Sequence, residues 1–252
     1  MTSFKCLPEF ITLSMKRSGH HAIMHWIMCN MNHKFIHYNC CFIENDNIIP
    51  MGGNNVMVYD ENNQITNYRK KNIGYKTIEK NNPHITAKMY NFEDYPASIL
   101  NNKLIVGKKI VIMRDLYNML SSSLKQNKKS YGGKIFKQRI NKWLSHMEII
   151  KDENILFINY NKWFNDKNYR DTLSSLLNFT NKDKGLDYVP HFGKGSSFDQ
   201  QNKNGRDMAV LERYKFLNES NIKEIKNHDR FPEIYEFNKK VFSLDFNEIF
   251  KS

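Results

Sequence analysis

Residues 10–27 read Phe10-Ile11-Thr12-Leu13-Ser14-Met15-Lys16-Arg17-Ser18-Gly19-His20-His21-Ala22-Ile23-Met24-His25-Trp26-Ile27. The first four are a short β-like run. In the last stretch Ile23, Trp26 and Ile27 fall at i, i+3 and i+4, the spacing of one helix face. The segment therefore reads as strand, basic loop, helix. A loop in that position offers exposed backbone N–H groups and the positive end of a helix dipole to an anion. Lys16 and Arg17 add full charges, and Gly19 allows a ligand to approach the backbone. A nucleoside-triphosphate loop of the Walker type would need Gly at 14, Gly at 19, Lys at 20 and Ser or Thr at 21. The chain has Ser14, Gly19, His20 and His21. One position of four matches, which disfavours a kinase or ATPase but not a related phosphate cradle. The bland alternative is an ordinary strand-to-helix turn with a chance basic pair.

Working outward, Lys109 to Met113 is a buried strand ending at Arg114-Asp115, with a helix expected from about Tyr117 to Lys125. Phe136, Ile140, Trp143, Leu144, Met147 and Ile150 mark a long amphipathic helix, with Lys134, Lys137, Arg139 and Lys142 on its other faces. Ile155 to Ile158 is the next buried strand, followed by a helix through Leu173, Leu176 and Leu177. Ile85 to Met89 reads as a further strand. Asn55–Tyr59 and Gln64–Tyr68 flank Asp60-Glu61-Asn62-Asn63 as a hairpin. Helical stretches are expected near Met208–Leu217 and Phe231–Phe242. Strands alternating with helices predict an α/β protein, a P-loop-like three-layer fold with a central parallel sheet and helices on both faces. The 252 residues form one domain, in which the polar, Asn-rich segment 31–84 is expected as an insertion on the core fold and 199–252 as C-terminal helices.

Of the 252 residues, 40% are apolar, enough for a real core and too many for a disordered chain. No run approaches the roughly 18 apolar residues of a membrane span. There are 38 basic and 26 acidic side chains, net +12. Residues 101–150 alone carry 11 basic and 2 acidic groups. Such a patch attracts an anion: nucleic acid, an anionic membrane or a phosphorylated small molecule. A solvated basic helix is the alternative. Cys6, Cys29, Cys40 and Cys41 make no CxxC pair and no disulfide framework, and the first fifteen residues lack the pattern of a signal peptide, so a reducing cytoplasmic location is expected. His21 and His25 stand at i, i+4, as zinc ligands can, but no third ligand has clear spacing, and no metal is expected. Trp26, Trp143 and Trp163 read as core residues.

Arg114 directly follows a buried strand, at the edge where open parallel sheets bind ligands. Ser122 lies eight residues on. An Arg fork with a hydroxyl is a phosphate grip; otherwise Arg114 pairs with a structural carboxylate and Ser122 is a surface serine. Four segments in order resemble the sulfotransferases that use 3′-phosphoadenosine-5′-phosphosulfate (PAPS). Lys16-Arg17-Ser18-Gly19-His20-His21-Ala22 is similar to that family's 5′-phosphosulfate loop. Arg114 to Ser122, with the same spacing of eight, is similar to its 3′-phosphate motif. Phe157-Ile158-Asn159-Tyr160-Asn161-Lys162-Trp163 resembles its later strand. Gly193-Lys194-Gly195-Ser196-Ser197-Phe198 resembles its C-terminal loop. The chain departs in having His20 and His21 for two threonines, Asn161 for a glutamate and Leu116 for a frequent proline.

The resemblance implies transfer of a sulfuryl group from PAPS, without a metal, to a hydroxyl or amine of a small-molecule or glycan acceptor. It places Lys16, Arg17, Ser18, Gly19, His20, His21 and Ala22 on the 5′ side of the donor. Arg114, Ser122, Lys194, Gly195, Ser196 and Ser197 fall on its 3′-phosphate, and Tyr160 near the adenine. Arg17 and His20 would stabilise the leaving phosphate. A base must take the acceptor's proton, and Glu93 is favoured, with Asp94 and His20 behind it; the alternative is that Glu93 and Asp94 open a helix. The polarity of 31–84 points to a sugar or other polar acceptor. Two rivals remain. One is a nucleic-acid-binding protein using the 101–150 patch, with Lys125, Lys128, Lys129 and Tyr131 as its contacts. The other is a divergent nucleotide kinase.

Overall fold

In the computed structural model, described for residues 7–50, 56–59, 65–67, 75–126, 133–180, 183–187 and 208–250, the chain builds a three-layer α/β fold. The central sheet has seven strands. β1 (Glu9–Ser14), β2 (Phe35–Tyr38), β7 (Ala87–Glu93), β8 (Lys108–Met113) and β9 (Ile155–Asn159) are its parallel part, in the order β2-β7-β1-β8-β9. β5 (Val56–Tyr59) and β6 (Ile65–Asn67) extend it beyond β2 with antiparallel pairing. β3 (Cys41–Glu44) and β4 (Asn47–Pro50) form a separate two-stranded ladder.

Both faces of the sheet are covered, and the strands alternate between two apolar clusters accordingly. Within β8, Val111 and Met113 belong to one cluster and Ile110 and Ile112 to the other, all 0–2% exposed. The first cluster takes in α3 (Leu116–Gln126), α4 (Gly133–Ile149) and α8 (Phe231–Phe242). The second takes in α1 (His20–Asn30), α5 (Tyr160–Asn165) and α6 (Lys167–Leu176), with Trp26 and Trp163 packed edge to face. All three tryptophans are buried, and Trp143 donates its indole N–H to the Arg114 carbonyl at 2.9 Å.

β1, β8 and β9 stand where the hydrophobic runs place them, the strand expected over Ile85–Met89 runs instead over Ala87–Glu93, and α8 spans Phe231–Phe242 as expected. Three features differ. The segment 31–84 is not simply peripheral: Phe35, Ile36 and Tyr38 of β2 are 0–1% exposed inside the main sheet, between β5 and β7. The hairpin strands β5 and β6 join the same sheet, while the expected turn at 60–63 lies outside the described residues. Glu93 and Asp94 do not open a helix: Glu93 ends β7, and Asp94 turns the chain at φ 62°. The stretch near 208–217 is a 3-10 helix, Val210–Phe216, followed by α7 (Glu219–Lys226), which the periodicity did not mark.

Candidate functional site

The register assembles the site. Ser14 pairs with Glu93 on one side and Ile112 on the other, and Met113 pairs with Asn159. The residues just past those ends are the loop after β1, Asp94, Arg114 and Tyr160. All therefore meet at the carboxyl edge of the sheet, where β1 lies between β7 and β8 and the chain turns to either side.

The loop from Met15 to Gly19 is held in an unusual backbone shape. Arg17 (φ 72°) and Gly19 (φ 79°) are both left-handed, and the Ser18 N–H donates to the Met15 carbonyl at 3.1 Å. A left-handed arginine is costly, and the surroundings impose it: Arg114 Nη1 reaches the Arg17 carbonyl at 3.3 Å. Gly19 is required twice over, because a Cβ there would lie 2.1 Å from Cε2 of Tyr160. Gly19 is also the N-cap of α1 and has no side chain with which to cap it; the first turn, His20-His21-Ala22, contains no acid. The helix start thus turns the positive end of its dipole toward the loop, with no side-chain cap on it.

Asp94 braces the loop from below. Its carboxylate accepts the Lys16 N–H at 2.9 Å and lies 3.7 Å from Lys16 Nζ and 3.6 Å from Arg139 Nη1. Occupied in this way, Asp94 is a support of the loop. Arg139, read from sequence as an outward charge of α4, is only 8% exposed and also donates to the Lys16 carbonyl at 3.5 Å. Its position was legible: 139 lies between 136, 140 and 143 on the apolar face.

Arg114 is 2% exposed at the end of β8. Besides the Arg17 carbonyl, Nη1 lies 3.4 Å from Oγ of Ser122, and the guanidinium sits 5.3 Å above the Tyr160 ring. Ser122 is buried, not a surface serine, and accepts a second guanidinium, Arg213 Nη1, at 3.2 Å. Arg213 comes from the Val210–Phe216 helix packed on α3, and nothing in its sequence context singled it out. Two buried cations on one hydroxyl form a donor set suited to a phosphate. Tyr160, 4% exposed, floors the loop beneath Gly19 and Arg114. Asn161 and Asp115 exchange two hydrogen bonds, at 2.9 and 3.4 Å, behind the site.

On the β7 side Glu93 faces a group of uncharged polar side chains. Oε1 lies 3.4 Å from His20 Nε2, and Oε2 accepts the Cys40 thiol at 3.0 Å. The His20 and His21 rings meet at a tilt, 4.0 Å between centroids. Burial, then the neighbouring His21 and Arg17, hold His20 well below the usual imidazole range; burial does the same for His21, against the pull of Glu93. Burial and the Glu93 charge push the Cys40 thiol up to about 12. A polar chain ties these groups to the sheet: Asn91 Oδ1 accepts from Thr12 and Ser14, Asn91 Nδ2 donates to Asn39 Oδ1 at 2.8 Å, and His21 Nε2 lies 3.2 Å from that oxygen.

The residues expected from sequence thus come together as two connected halves. Lys16, Arg17, Ser18, Gly19, His20, His21, Ala22 and Glu93 form one; Arg114, Ser122 and Tyr160 form the other. His25 does not join His21: it contacts the Cys29 sulfur at 3.4 Å and lies tilted against Tyr59. Lys194, Gly195, Ser196 and Ser197 lie outside the described residues, as do Lys128, Lys129 and Tyr131 of the basic patch.

The three-layer α/β fold, with its turn after β1 and Arg114 at the end of β8, matches the fold of a solved sulfotransferase. In the solved structures, the chain is similar to mouse sulfotransferase SULT7A1 complexed with PAP, with a TM-score of 0.50 over 91% of this chain and 89% of that one, at 12% identity. No protein-family model and no curated protein matches the sequence. No described helix is long and apolar enough to cross a membrane.

Proposed function

We propose that the chain is a PAPS-dependent sulfotransferase, acting on a hydroxyl or amine of a polar small-molecule or glycan acceptor in the cytoplasm. The observation that carries this reading is the Arg114 guanidinium, which ties the left-handed loop to the Ser122 hydroxyl while Arg213 approaches that hydroxyl from the other side. A donor with phosphates at both its 5′ and 3′ positions matches a site with two cationic halves. The glycine cradle over Tyr160 and the N-terminal end of α1 suit its 5′ end.

When bound, PAPS supplies an activated sulfuryl group, whose S–O bond to the 5′-phosphate breaks as the acceptor atom bonds to sulfur. Arg17 and the N–H groups from Gly19 to His21 take up the charge left on the 5′-phosphate; fixed donors do this without reorganising. Arg114, Ser122 and Arg213 hold the 3′-phosphate, with Lys194, Gly195, Ser196 and Ser197 as further contacts, and Tyr160 lies toward the adenine. Glu93 takes the acceptor's proton on Oε1, the oxygen not occupied by the Cys40 thiol. Neutral His20 stands beside it and steers the acceptor hydroxyl. Segment 31–84 shapes the acceptor side, since Asn39 and Cys40 border Glu93.

The deciding experiment is a thermal shift with 3′,5′-adenosine bisphosphate against ATP and AMP. A ligand that binds only the folded chain raises its melting temperature by mass action. A shift with the bisphosphate alone is expected. No shift at millimolar ligand refutes the reading and favours the nucleic-acid alternative, which demands binding that weakens steeply with salt. Mass spectrometry of products from a glycan and phenol panel then tests the acceptor class, and sulfation of apolar phenols alone would count against a polar one.

A further inference from the structure

Three electron-pair donors converge beside the loop. His20 Nε2 is fully buried, has no hydrogen-bond partner among the described residues, and lies 3.4 Å from Glu93 Oε1. The other His20 nitrogen, Nδ1, is near Ser18 Oγ at 3.2 Å, and the ring also bonds to the Met15 backbone. In the tautomer protonated on Nδ1, the Nε2 lone pair faces the carboxylate. Asn39 Oδ1 already accepts from Asn91 Nδ2, so His21 Nε2 donates to it and Nδ1 keeps the lone pair. Ligand atoms of His20, His21 and Glu93 all lie within 4.8 Å of one another.

In that His20 tautomer two lone pairs face each other across 3.4 Å, an arrangement that a cation between them stabilises. Zinc binds imidazole nitrogen and carboxylate oxygen at about 2.0–2.2 Å in a tetrahedron, whose edges are then about 3.4 Å long. The His20–Glu93 gap already has that length. Each ring has an oxygen near its far nitrogen, Ser18 Oγ for His20 and Asn39 Oδ1 for His21, the outer support that orients metal-bound imidazoles. The Cys40 thiol on Glu93 Oε2 supports the carboxylate in the same way.

We propose that His20, His21 and Glu93 form a site for one zinc-like divalent ion, and that an ion bound there blocks sulfuryl transfer. Its occupancy takes the Glu93 oxygen that would accept the proton. Lys16 and Arg17, close to His20, oppose a cation and keep the site reversible. The blocking role rests on the reaction proposed above; the ion site itself does not.

Isothermal titration of the metal-free full chain with zinc chloride tests this. One ion per chain is expected, with affinity at least about tenfold weaker in both Glu93→Gln and His21→Asn, as loss of even an outer partner commonly costs that much. His33→Asn, distant from the site, should leave affinity unchanged. The wild type supplies an arm that needs no variant: zinc should raise its melting temperature, and a chelator should reverse the rise. No zinc binding by the wild type overturns the proposal, and so does undiminished affinity in both site variants. Titrating 3′,5′-adenosine bisphosphate into the same sample separates the two readings. Zinc binding without nucleotide binding removes the sulfotransferase and keeps the ion site; the reverse removes only the ion site.

Discussion

Replacing Gly19 by alanine adds one methyl group at the point where the loop, α1 and Tyr160 meet. The left-handed backbone, φ 79°, costs an L-residue about 1–2 kcal/mol. The new Cβ would stand 2.1 Å from Tyr160 Cε2, whereas carbon atoms in contact prefer about 3.5 Å. The ring must retreat by roughly 1.4 Å, and it cannot do so freely: it is 4% exposed, packed by Trp163 and Phe164, and roofed by Arg114. Overpacking of this kind costs about 1–3 kcal/mol. The total, roughly 2–5 kcal/mol, corresponds to a fall in melting temperature on the order of 10 °C for a chain of this size. Thermal melts and urea titrations of Gly19→Ala, Tyr160→Ala and the double variant separate the two costs. Tyr160→Ala alone should lose about 3–5 kcal/mol to its cavity. The double variant should be less destabilised than the sum by about 1–3 kcal/mol, because the methyl then has room. A Gly19→Ala chain that melts with the wild type, or strict additivity in the cycle, would refute the close packing of Tyr160 under the loop.

Arg114→Met should weaken 3′,5′-adenosine bisphosphate binding by roughly 10- to 150-fold, the worth of a charged hydrogen bond, and calorimetry showing unchanged affinity would remove Arg114 from the site. Arg213→Met should act in the same direction while leaving the loop intact, and equal affinity there would mean that Arg213 only supports Ser122. Arg17→Ala should nearly abolish sulfuryl transfer in an acceptor assay with less effect on bisphosphate affinity than Arg114→Met; normal turnover would contradict its role at the 5′-phosphate. Burial lowers His25 and His146 from about 6.5 to about 4. The unfolded chain therefore binds more protons below about pH 6.5, so stability is complete above that pH and falls as pH drops toward 4, by at most about 3 kcal/mol for each histidine. Urea midpoints at pH 7.5, 6 and 5 should decline in that order, and His146→Gln should flatten the decline.

The parallel strands were legible because burial on both faces leaves a mark that needs no tertiary knowledge. Ile110–Met113 and Ile155–Ile158 are continuous apolar runs, as strands covered by helices on both faces tend to be. β2 escaped notice for the opposite reason. Phe35-Ile36-His37-Tyr38 is four residues long, carries a histidine and is set among asparagines, so its composition resembles a loop although all four residues are buried. What decides its place is its pairing with β7, a long-range contact that local sequence does not encode. Arg139 shows how a cue can be misweighted: its helical phase put it on the buried face, and its charge argued for the surface. Asp94 resolves that conflict, since a carboxylate at 3.6 Å makes a buried guanidinium tolerable.

The same contact explains why the anion loop keeps its shape before any ligand arrives. The loop concentrates Lys16, Arg17 and the open end of α1, charges and dipoles of one sign that repel each other in an empty site. Asp94 offsets part of that repulsion from below, accepting the Lys16 N–H while its carboxylate draws in Lys16 and Arg139. Arg114 ties the loop from the side through the Arg17 carbonyl. Two of these ties act on backbone groups of the loop and fix its path, while the Asp94 carboxylate also holds the Lys16 side chain. The left-handed arginine is the strained element this bracing sustains, and under the proposed function strain kept at this turn rather than relaxed is what preorganisation for a phosphate requires.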